Sequence, residues 1–155
     1  MPYSRQLRVE FNHCDPAGIV FFARYYEMFS SVFEGFFRDV LGYPFEEMIL
    51  KNRHGVPTVR VDTSFRAPSR LGDILDVRLL VVEVGRSSLD FELRLSCRGE
   101  ERLTSRQRIV YVTRAEARDR ALPWPDRVRD ILVAAAQADA TPERGPGAEP
   151  VERES

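Results

Sequence analysis

One stretch of the sequence, from Phe21 to about Leu41, restricts the fold more than any other. Its apolar positions recur at spacings of three and four residues and are mostly aromatic: Phe22, Tyr25, Tyr26, Phe29, Val32, Phe33, Phe36, Phe37 and Val40. Charged residues such as Arg24 and Glu34 fall between them. This periodicity predicts one long amphipathic helix, and so wide an aromatic face must be buried against another layer of the protein.

Five further segments have the composition and pattern of β-strands. Apolar and polar residues alternate over 3–11, 58–66 and 89–97, whereas 74–84 is apolar on both faces and 103–113 follows a Gly-Glu turn. Alternation is typical of a strand with one buried face, and a doubly apolar strand is typical of a covered, central position. The sequence therefore predicts an α+β domain in which a five-stranded antiparallel sheet wraps around one long central helix.

Two short helices and a tail complete the predicted organisation. The segments 45–51 and 128–135 are predicted to be helical, and Pro123-Trp124-Pro125 separates the last strand from the second of them. Beyond residue 136 the chain is rich in Ala, Pro, Gly and Glu, with Val151 as its only large aliphatic residue. Such a composition buries too little apolar surface to fold. We predict one domain over residues 1–136 and a disordered tail over 137–155.

The composition argues against several classes of partner. A formal net charge of -1 and a pI near 6.2 give no reason to expect binding to nucleic acid or to an anionic membrane. The two cysteines, Cys14 and Cys97, are too few for a disulfide framework. No apolar run approaches the roughly 20 residues that cross a bilayer. We therefore expect a soluble, cytoplasmic protein.

A short run before the long helix, from His13 to Val20, carries a reactive group. It reads His-Cys-Asp-Pro-Ala-Gly-Ile-Val and places the carboxylate of Asp15 at a corner between a predicted strand and the helix start. Helix starts present unpaired N–H groups and a positive dipole end, which favour an ionised carboxylate and negative charge on a nearby carbonyl oxygen. An aspartate before proline is also a common turn residue, so the run by itself leaves both roles open.

The order of these features resembles that of the hotdog-fold acyl-CoA thioesterases, and most closely the 4-hydroxybenzoyl-CoA thioesterase family. The resemblance covers roughly residues 5–135. It rests on Asp15-Pro16-Ala17-Gly18 ahead of the aromatic helix, on Gly55-Val56-Pro57, on the segment 64–73 and on Gly85-Arg86-Ser87-Ser88. It implies a hotdog fold and the hydrolysis of an acyl-CoA thioester to a free acid and coenzyme A.

The resemblance also implies roles for individual residues. Asp15 matches the catalytic carboxylate, which acts either as the nucleophile or as the general base for water, and Phe22 matches the residue whose backbone N–H polarises the carbonyl. The implied substrate contacts are Gly18, Ser30, Val56, Arg86, Ser87 and Ser88, the last three in a turn that meets the phosphates and nucleotide of coenzyme A. Coenzyme A is part of the substrate, and we expect no cofactor and no metal.

The resemblance further implies an assembly and a substrate class. Members of the family form dimers or tetramers with the active site between subunits, so we expect a homo-oligomer. Ser30 stands where the 4-hydroxybenzoyl enzyme has an acidic residue near the ring hydroxyl, which leaves the acyl group unnamed. The aromatic helix suits a bulky acyl group, and we predict one of the benzoyl type.

Three alternatives stay open from the sequence. A non-catalytic protein that binds acyl-CoA or acyl-carrier protein would use the same fold, with Asp15 only capping the helix. A hotdog dehydratase would need a histidine deep in the site, for which His13 and His54 are the candidates. A Cys14–His13 nucleophile pair is disfavoured, because neighbours on an extended strand point to opposite faces.

Overall fold

One long helix packed on an antiparallel sheet forms most of the fold. The computed structural model describes residues 2–115 and 117–141. The elements, in chain order, are β1 (Tyr3–Arg8), a 3-10 turn (Phe11–His13), α1 (Phe22–Asp39), a π-helical turn (Glu46–Lys51), β2 (His54–Gly55), β3 (Thr58–Phe65), β4 (Ile74–Val84), β5 (Ser88–Cys97), β6 (Glu100–Val110), β7 (Val112–Thr113), β8 (Arg120–Ala121) and α2 (Asp126–Asp139). Within this part of the chain, neither helix is long and apolar enough to span a membrane.

Five strands make the main sheet, in the order β1-β4-β5-β6-β3. The core lies between this sheet and α1, and its fully buried side chains come from both: Phe37 of α1, Leu75 and Leu79 of β4, Phe91, Leu93 and Leu95 of β5, and Leu103 and Ile109 of β6. Phe33 of α1 stacks on Phe91 with their ring centroids 4.8 Å apart. The predicted α+β class and the five-stranded sheet around one long helix are confirmed.

The predicted strand 74–84 has the bounds of β4, but its environment differs from the expectation. One face is buried, whereas Ile74 and Val82 on the other face are each 38% exposed. The expected burial on both faces is therefore wrong. β4 is the second strand from the edge, because β1 pairs with it from Arg8 to Tyr3.

The end of β4 explains the position of α2. β1 pairs with β4 only as far as Leu79, which leaves the edge of β4 uncovered beyond that residue. The Val81 N–H donates there to Oδ2 of Asp139, at 2.9 Å. The helix thus includes residues 137–139, which the sequence assigned to the tail. The rest of the predicted tail, from residue 142, lies outside the described residues.

A second, small sheet was not predicted. β2, β7 and β8 pair in the order β2-β7-β8, and β7 is separated from β6 by Tyr111. The predicted strand 103–113 is therefore two strands, and the first begins at Glu100. These pairings tie the segment before β3 to the segment after β6.

Candidate active site

Asp15 lies in a tight turn that its own backbone and side chain close. The Asp15 N–H donates to the carbonyl of Ile19 (2.9 Å), and the Gly18 N–H donates to the carbonyl of Asp15 (3.0 Å). The Ala17 N–H donates to Oδ1 of Asp15 at 2.8 Å. Gly18 has a φ of 74°, a left-handed conformation that glycine adopts at little cost. Among the described residues, no donor reaches Oδ2 of Asp15, so this oxygen is available for chemistry.

A neighbouring loop holds the Asp15 turn in place. The Val20 N–H donates to the carbonyl of Ser69 (2.9 Å), and the Leu71 N–H donates to the carbonyl of Gly18 (3.0 Å). Ser69 is fully buried. These bonds attach the turn to the segment between β3 and β4.

Asp73 fixes that loop in turn. Its Oδ2 accepts hydrogen bonds from the Arg70 N–H at 2.9 Å and from Nη1 of Arg102 at 2.8 Å. The Arg70 N–H first, and then Arg102, hold the pKa of Asp73 below its ordinary value. The ionised carboxylate therefore stabilises the loop at neutral pH.

The start of α1 follows the Asp15 turn directly. Phe21 is the N-cap and contributes no side-chain hydrogen bond to the helix. Its own N–H donates to the carbonyl of His13 at 3.0 Å, which sets the angle at which the chain enters the helix. Phe22 is 58% exposed. No acceptor for the Phe22 N–H is found among the described residues, so the positive end of the helix opens beside the Asp15 turn.

The side chains of His13 and Cys14 both bond to the backbone of Glu10. The predicted first strand ends at Arg8, and residues 11–13 form a 3-10 turn, so the argument from opposite faces of a strand is wrong for this pair. Nδ1 of His13 accepts the N–H of Glu10 at 2.9 Å. The Cys14 thiol donates to the carbonyl of Glu10 at 3.5 Å. Neither side chain bonds to Asp15.

An apolar cavity of about 300 Å³ lies between α1, β3 and the inner face of the sheet. It is lined by Tyr26, Phe29, Ser30, Phe33, Phe45, Val56, Thr58, Val61, Phe91, Gln107 and Ile109. Two predicted substrate contacts, Ser30 and Val56, thus meet in one cavity. Asp15, Gly18 and Phe22 do not line it, and they cluster at the start of α1 instead.

A row of polar side chains behind the cavity was missed from the sequence. The Tyr26 hydroxyl donates to Oγ1 of Thr63 (3.2 Å), which is 2.8 Å from Oγ of Ser105. Nε2 of Gln107 donates to the same Ser105 oxygen at 3.1 Å. Ser105 and Gln107 occupy core-facing positions of β6 between Leu103 and Ile109. The sequence does carry a sign of them, because they are two polar residues at alternate positions of an otherwise apolar strand face.

The predicted coenzyme turn, 85–88, is held by the segment after the sheet. The Trp124 N–H donates to the carbonyl of Arg86 (3.0 Å), and Nε1 of Trp124 donates to the carbonyl of Ser88 (3.1 Å). Nη1 of Arg129 donates to the carbonyl of Gly85 at 2.6 Å. The carbonyl of Ser87 accepts the N–H of Tyr111, at 2.7 Å. The exposed side chain of Arg86 therefore stands on a rigid turn.

His54 belongs to a structural network. Its Nδ1 lies 2.5 Å from the hydroxyl of Tyr111, which also contacts the hydroxyl of Tyr43 at 2.9 Å. Burial first, and then the Tyr43 hydroxyl, raise the pKa of Tyr111 well above its ordinary value, so its hydroxyl stays protonated. Neither His54 nor His13 lines the cavity. The described residues contain no group of three His, Cys, Asp or Glu that could hold a metal ion. That the protein needs no metal or cofactor stays a prediction.

Comparison with known proteins defines the class. The sequence profile of the Thioesterase-like superfamily matches residues 9–132, which is well over half of the chain. The chain therefore belongs to the thioesterase-like superfamily. A solved gentisyl-coenzyme A thioesterase superposes with a TM-score of 0.75 and 26% identity, covering 84% of this chain and 99% of that one. The predicted hotdog fold is confirmed.

Two curated relatives are similar to this chain in sequence, and both are named as hydrolases of aromatic acyl-CoA thioesters. A 4-hydroxybenzoyl-CoA thioesterase from Pseudomonas sp. (strain CBS-3) is 31% identical over 84 residues, which is 54% of this chain and 60% of that enzyme. A 1,4-dihydroxy-2-naphthoyl-CoA hydrolase from Synechococcus elongatus is 26% identical over 133 residues, which is 84% of this chain and 94% of that enzyme. The predicted family and enzyme class, a thioester hydrolase, are confirmed at the level of the family.

Replacing Asp73 with Asn should destabilise the protein in a pH-dependent way. Because the folded-state pKa of Asp73 is lowered, its stabilising effect is complete above the unfolded-state pKa of about 3.9 and is lost as the pH falls through the folded-state value. We expect Asp73→Asn to reduce the free energy of unfolding by about 1–3 kcal/mol at neutral pH. The difference from wild type should shrink in acid.

Urea unfolding at a series of pH values measures this difference. Asp130→Asn is the matched control, since Asp130 is an exposed aspartate of α2. A deficit for Asp73→Asn that stays constant down to about pH 3, well below the ordinary aspartate pKa, would contradict the role of its charge.

Proposed function

We propose that this protein is an acyl-CoA thioesterase that hydrolyses an aromatic, benzoyl-type thioester, with Asp15 as its catalytic carboxylate. The observation that carries the proposal is that Oδ2 of Asp15, which receives no hydrogen bond from the described residues, lies in the turn directly before the start of α1, where the N-cap residue makes no side-chain bond. A thioester hydrolase needs a group to attack or to activate water, and N–H donors for the charge that develops on the carbonyl oxygen. Membership of the thioesterase-like superfamily supports this use of the two features.

Two routes are compatible with this arrangement. In the first, Oδ2 of Asp15 attacks the thioester carbon, the C–S bond breaks, coenzyme A leaves as its thiolate, and water opens the resulting mixed anhydride. In the second, Asp15 takes a proton from a water molecule that attacks the same carbon, the C–S bond breaks, and coenzyme A leaves as its thiolate. In both, the oxyanion accepts a hydrogen bond from the Phe22 N–H. Thiolate is a good leaving group, so neither route requires a strong general acid.

The cavity supports an aromatic acyl group. Phe29, Phe33, Phe45 and Phe91 contribute aromatic rings to its lining. Its volume of about 300 Å³ is at the small end of ligand pockets and fits an acyl group of one or two rings. Similar proteins are named for gentisyl, 4-hydroxybenzoyl and 1,4-dihydroxy-2-naphthoyl thioesters, which are all hydroxylated aromatic acyl groups. We extend this substrate class to the present chain.

An exposed apolar edge supports a homo-oligomer. β3 is an edge strand of the main sheet, and Val59, Val61 and Phe65 on it are 57%, 43% and 51% exposed. Phe21 and Phe22 add exposed rings at the start of α1. Long apolar edge strands pair readily with another chain. We propose that β3 pairs with β3 of a second copy, as a dimer or as part of a tetramer. The cytoplasmic location stays a prediction.

Asp15→Asn should abolish most of the activity and leave the fold intact. The asparagine Oδ1 can still accept the Ala17 N–H, so the turn is retained while the charge is lost. We expect kcat to fall by about 10²–10⁴, the usual worth of a general base, with an unchanged melting temperature. Release of free thiol from benzoyl-CoA, 4-hydroxybenzoyl-CoA and 1,4-dihydroxy-2-naphthoyl-CoA measures the activity.

Asp130→Asn again serves as the control and should be fully active, since Asp130 lies on α2, away from the Asp15 turn and from β3. An unchanged kcat in Asp15→Asn would remove Asp15 from the mechanism. Tight binding of these thioesters by the wild type without turnover would instead favour a non-catalytic binding protein.

Arg86→Ala should weaken binding of the coenzyme part of the substrate. A hydrogen bond to a charged group contributes about 1.5–3 kcal/mol, so we expect kcat/KM for an acyl-CoA to fall about tenfold or more. The same acyl group on pantetheine, which lacks the nucleotide, should be hydrolysed equally by both proteins. Arg38→Ala, at the far end of α1, is the control. An equal loss on both substrates would argue against a nucleotide contact.

Val59→Lys should dissociate the oligomer. A lysine on an exposed edge strand opposes strand pairing between chains. We expect sedimentation velocity at micromolar concentration to show a dimer or tetramer for the wild type and a smaller species for the variant. Val82→Lys, at a half-exposed position on the outer face of β4, is the control. A monomeric wild type would refute the proposed assembly.

A further inference from the structure

Gln107 is a buried polar residue that faces the apolar cavity. It lies on β6 opposite Val61 of β3 and next to Phe91 of β5, and all three residues line the cavity. Only 8% of Gln107 is exposed. A buried amide is costly unless both its nitrogen and its oxygen have hydrogen-bond partners.

Only the nitrogen of this amide has a partner. Nε2 donates to Oγ of Ser105 at 3.1 Å, and Ser105 is held by Thr63, which accepts the hydroxyl of Tyr26. These hydrogen bonds run from β6 through β3 to α1 and fix the position of the side-chain amide. The amide oxygen, Oε1, receives no hydrogen bond from any of the described residues. Because Gln107 lines the cavity and Oε1 is not fully buried, this oxygen is an acceptor that the cavity offers to a ligand.

The rest of the lining makes the cavity selective for ligands that carry a hydrogen-bond donor. Ser30 is exposed, so water can satisfy its hydroxyl. Of the side chains beside Gln107 in the cavity, Phe91 and Ile109 are apolar and buried, and Val61 is apolar. A ligand that fills the cavity with only apolar atoms would therefore leave Oε1 without a partner, whereas one with a hydrogen-bond donor would satisfy it. Sites of this kind discriminate strongly against ligands that lack the donor.

We propose that Oε1 of Gln107 accepts a hydrogen bond from a hydroxyl group on the aromatic ring of the acyl group and so makes Gln107 a specificity-determining residue. The inference rests on the proposed function, because it assumes that the acyl group occupies the cavity. Gln107 acts on the choice of substrate and not on the chemical step. Its effect should therefore be seen in binding as well as in turnover.

The experiment compares binding of three coenzyme A thioethers that cannot be hydrolysed: phenacyl-CoA, 3-hydroxyphenacyl-CoA and 4-hydroxyphenacyl-CoA. Titration calorimetry at neutral pH measures their affinities for the wild type, Gln107→Met and Gln107→Glu. We expect the wild type to bind one hydroxylated analogue at least about tenfold more tightly than phenacyl-CoA, as expected of a buried hydrogen bond. Gln107→Met, of similar shape but without the oxygen, should lose this preference. Gln107→Glu retains an acceptor and should keep it.

The outcomes separate this inference from the proposed function. Gln6→Met, the same substitution at an exposed glutamine, should leave every affinity unchanged. Equal binding of all three analogues by the wild type would overturn the role of Gln107 even if Gln107→Met does not fold. So would a preference that survives in a folded Gln107→Met. The wild type could instead show the predicted preference and hydrolyse no thioester. That result would support the role of Gln107 in ligand choice and overturn the proposed hydrolase activity.

Discussion

The packing of the aromatic face of α1 on the inner face of the sheet determines the rest of the structure. Phe33 stacks on Phe91 of the central strand, and Phe37 is fully buried among neighbouring rings. Because the middle and the end of the helix are fixed in this way, its start lies at the rim of the sheet, where Phe22 is exposed. The Phe22 N–H, for which the described residues supply no acceptor, is thus available at one defined position.

The groups around this helix start are held by backbone bonds. The Asp15 turn is attached through Gly18 and Val20 to the loop after β3, and Asp73 with Arg102 fixes that loop. Backbone bonds of this kind restrict position more than side-chain contacts do, because they leave few free torsions. The Asp15 carboxylate, whose Oδ2 receives no hydrogen bond from the described residues, is therefore held in the turn directly before the start of α1. Such preorganisation is what makes electrostatic stabilisation effective in catalysis.

The sequence predicted the long elements well because their periodicity extends over many residues. The bounds of α1 and β4 were predicted to within a few residues. Over three or more helical turns or strand repeats, one residue that breaks the apolar pattern does not hide the period. The 3-10 turn at Phe11–His13 and the two-residue strands are too short to show a period. Asp15, Ser30 and Val56 were predicted from the family resemblance, and of these Ser30 and Val56 line the cavity. Gln107 and Trp124 were missed, because their importance depends on partners far away in the chain. Gln107 bonds to Ser105, which is held by Thr63 of β3. Trp124 bonds to the carbonyl of Ser88.

The position of Trp124 has a practical consequence. It is the only tryptophan in the chain, it is 3% exposed, and its ring stacks on Tyr111 with the centroids 5.0 Å apart. Its indole N–H and its backbone N–H both bond to the 85–88 turn. The tryptophan fluorescence of the protein therefore originates from one buried ring attached to that turn. The protein carries its own optical reporter of any event that shifts this turn, without a label and without an engineered residue.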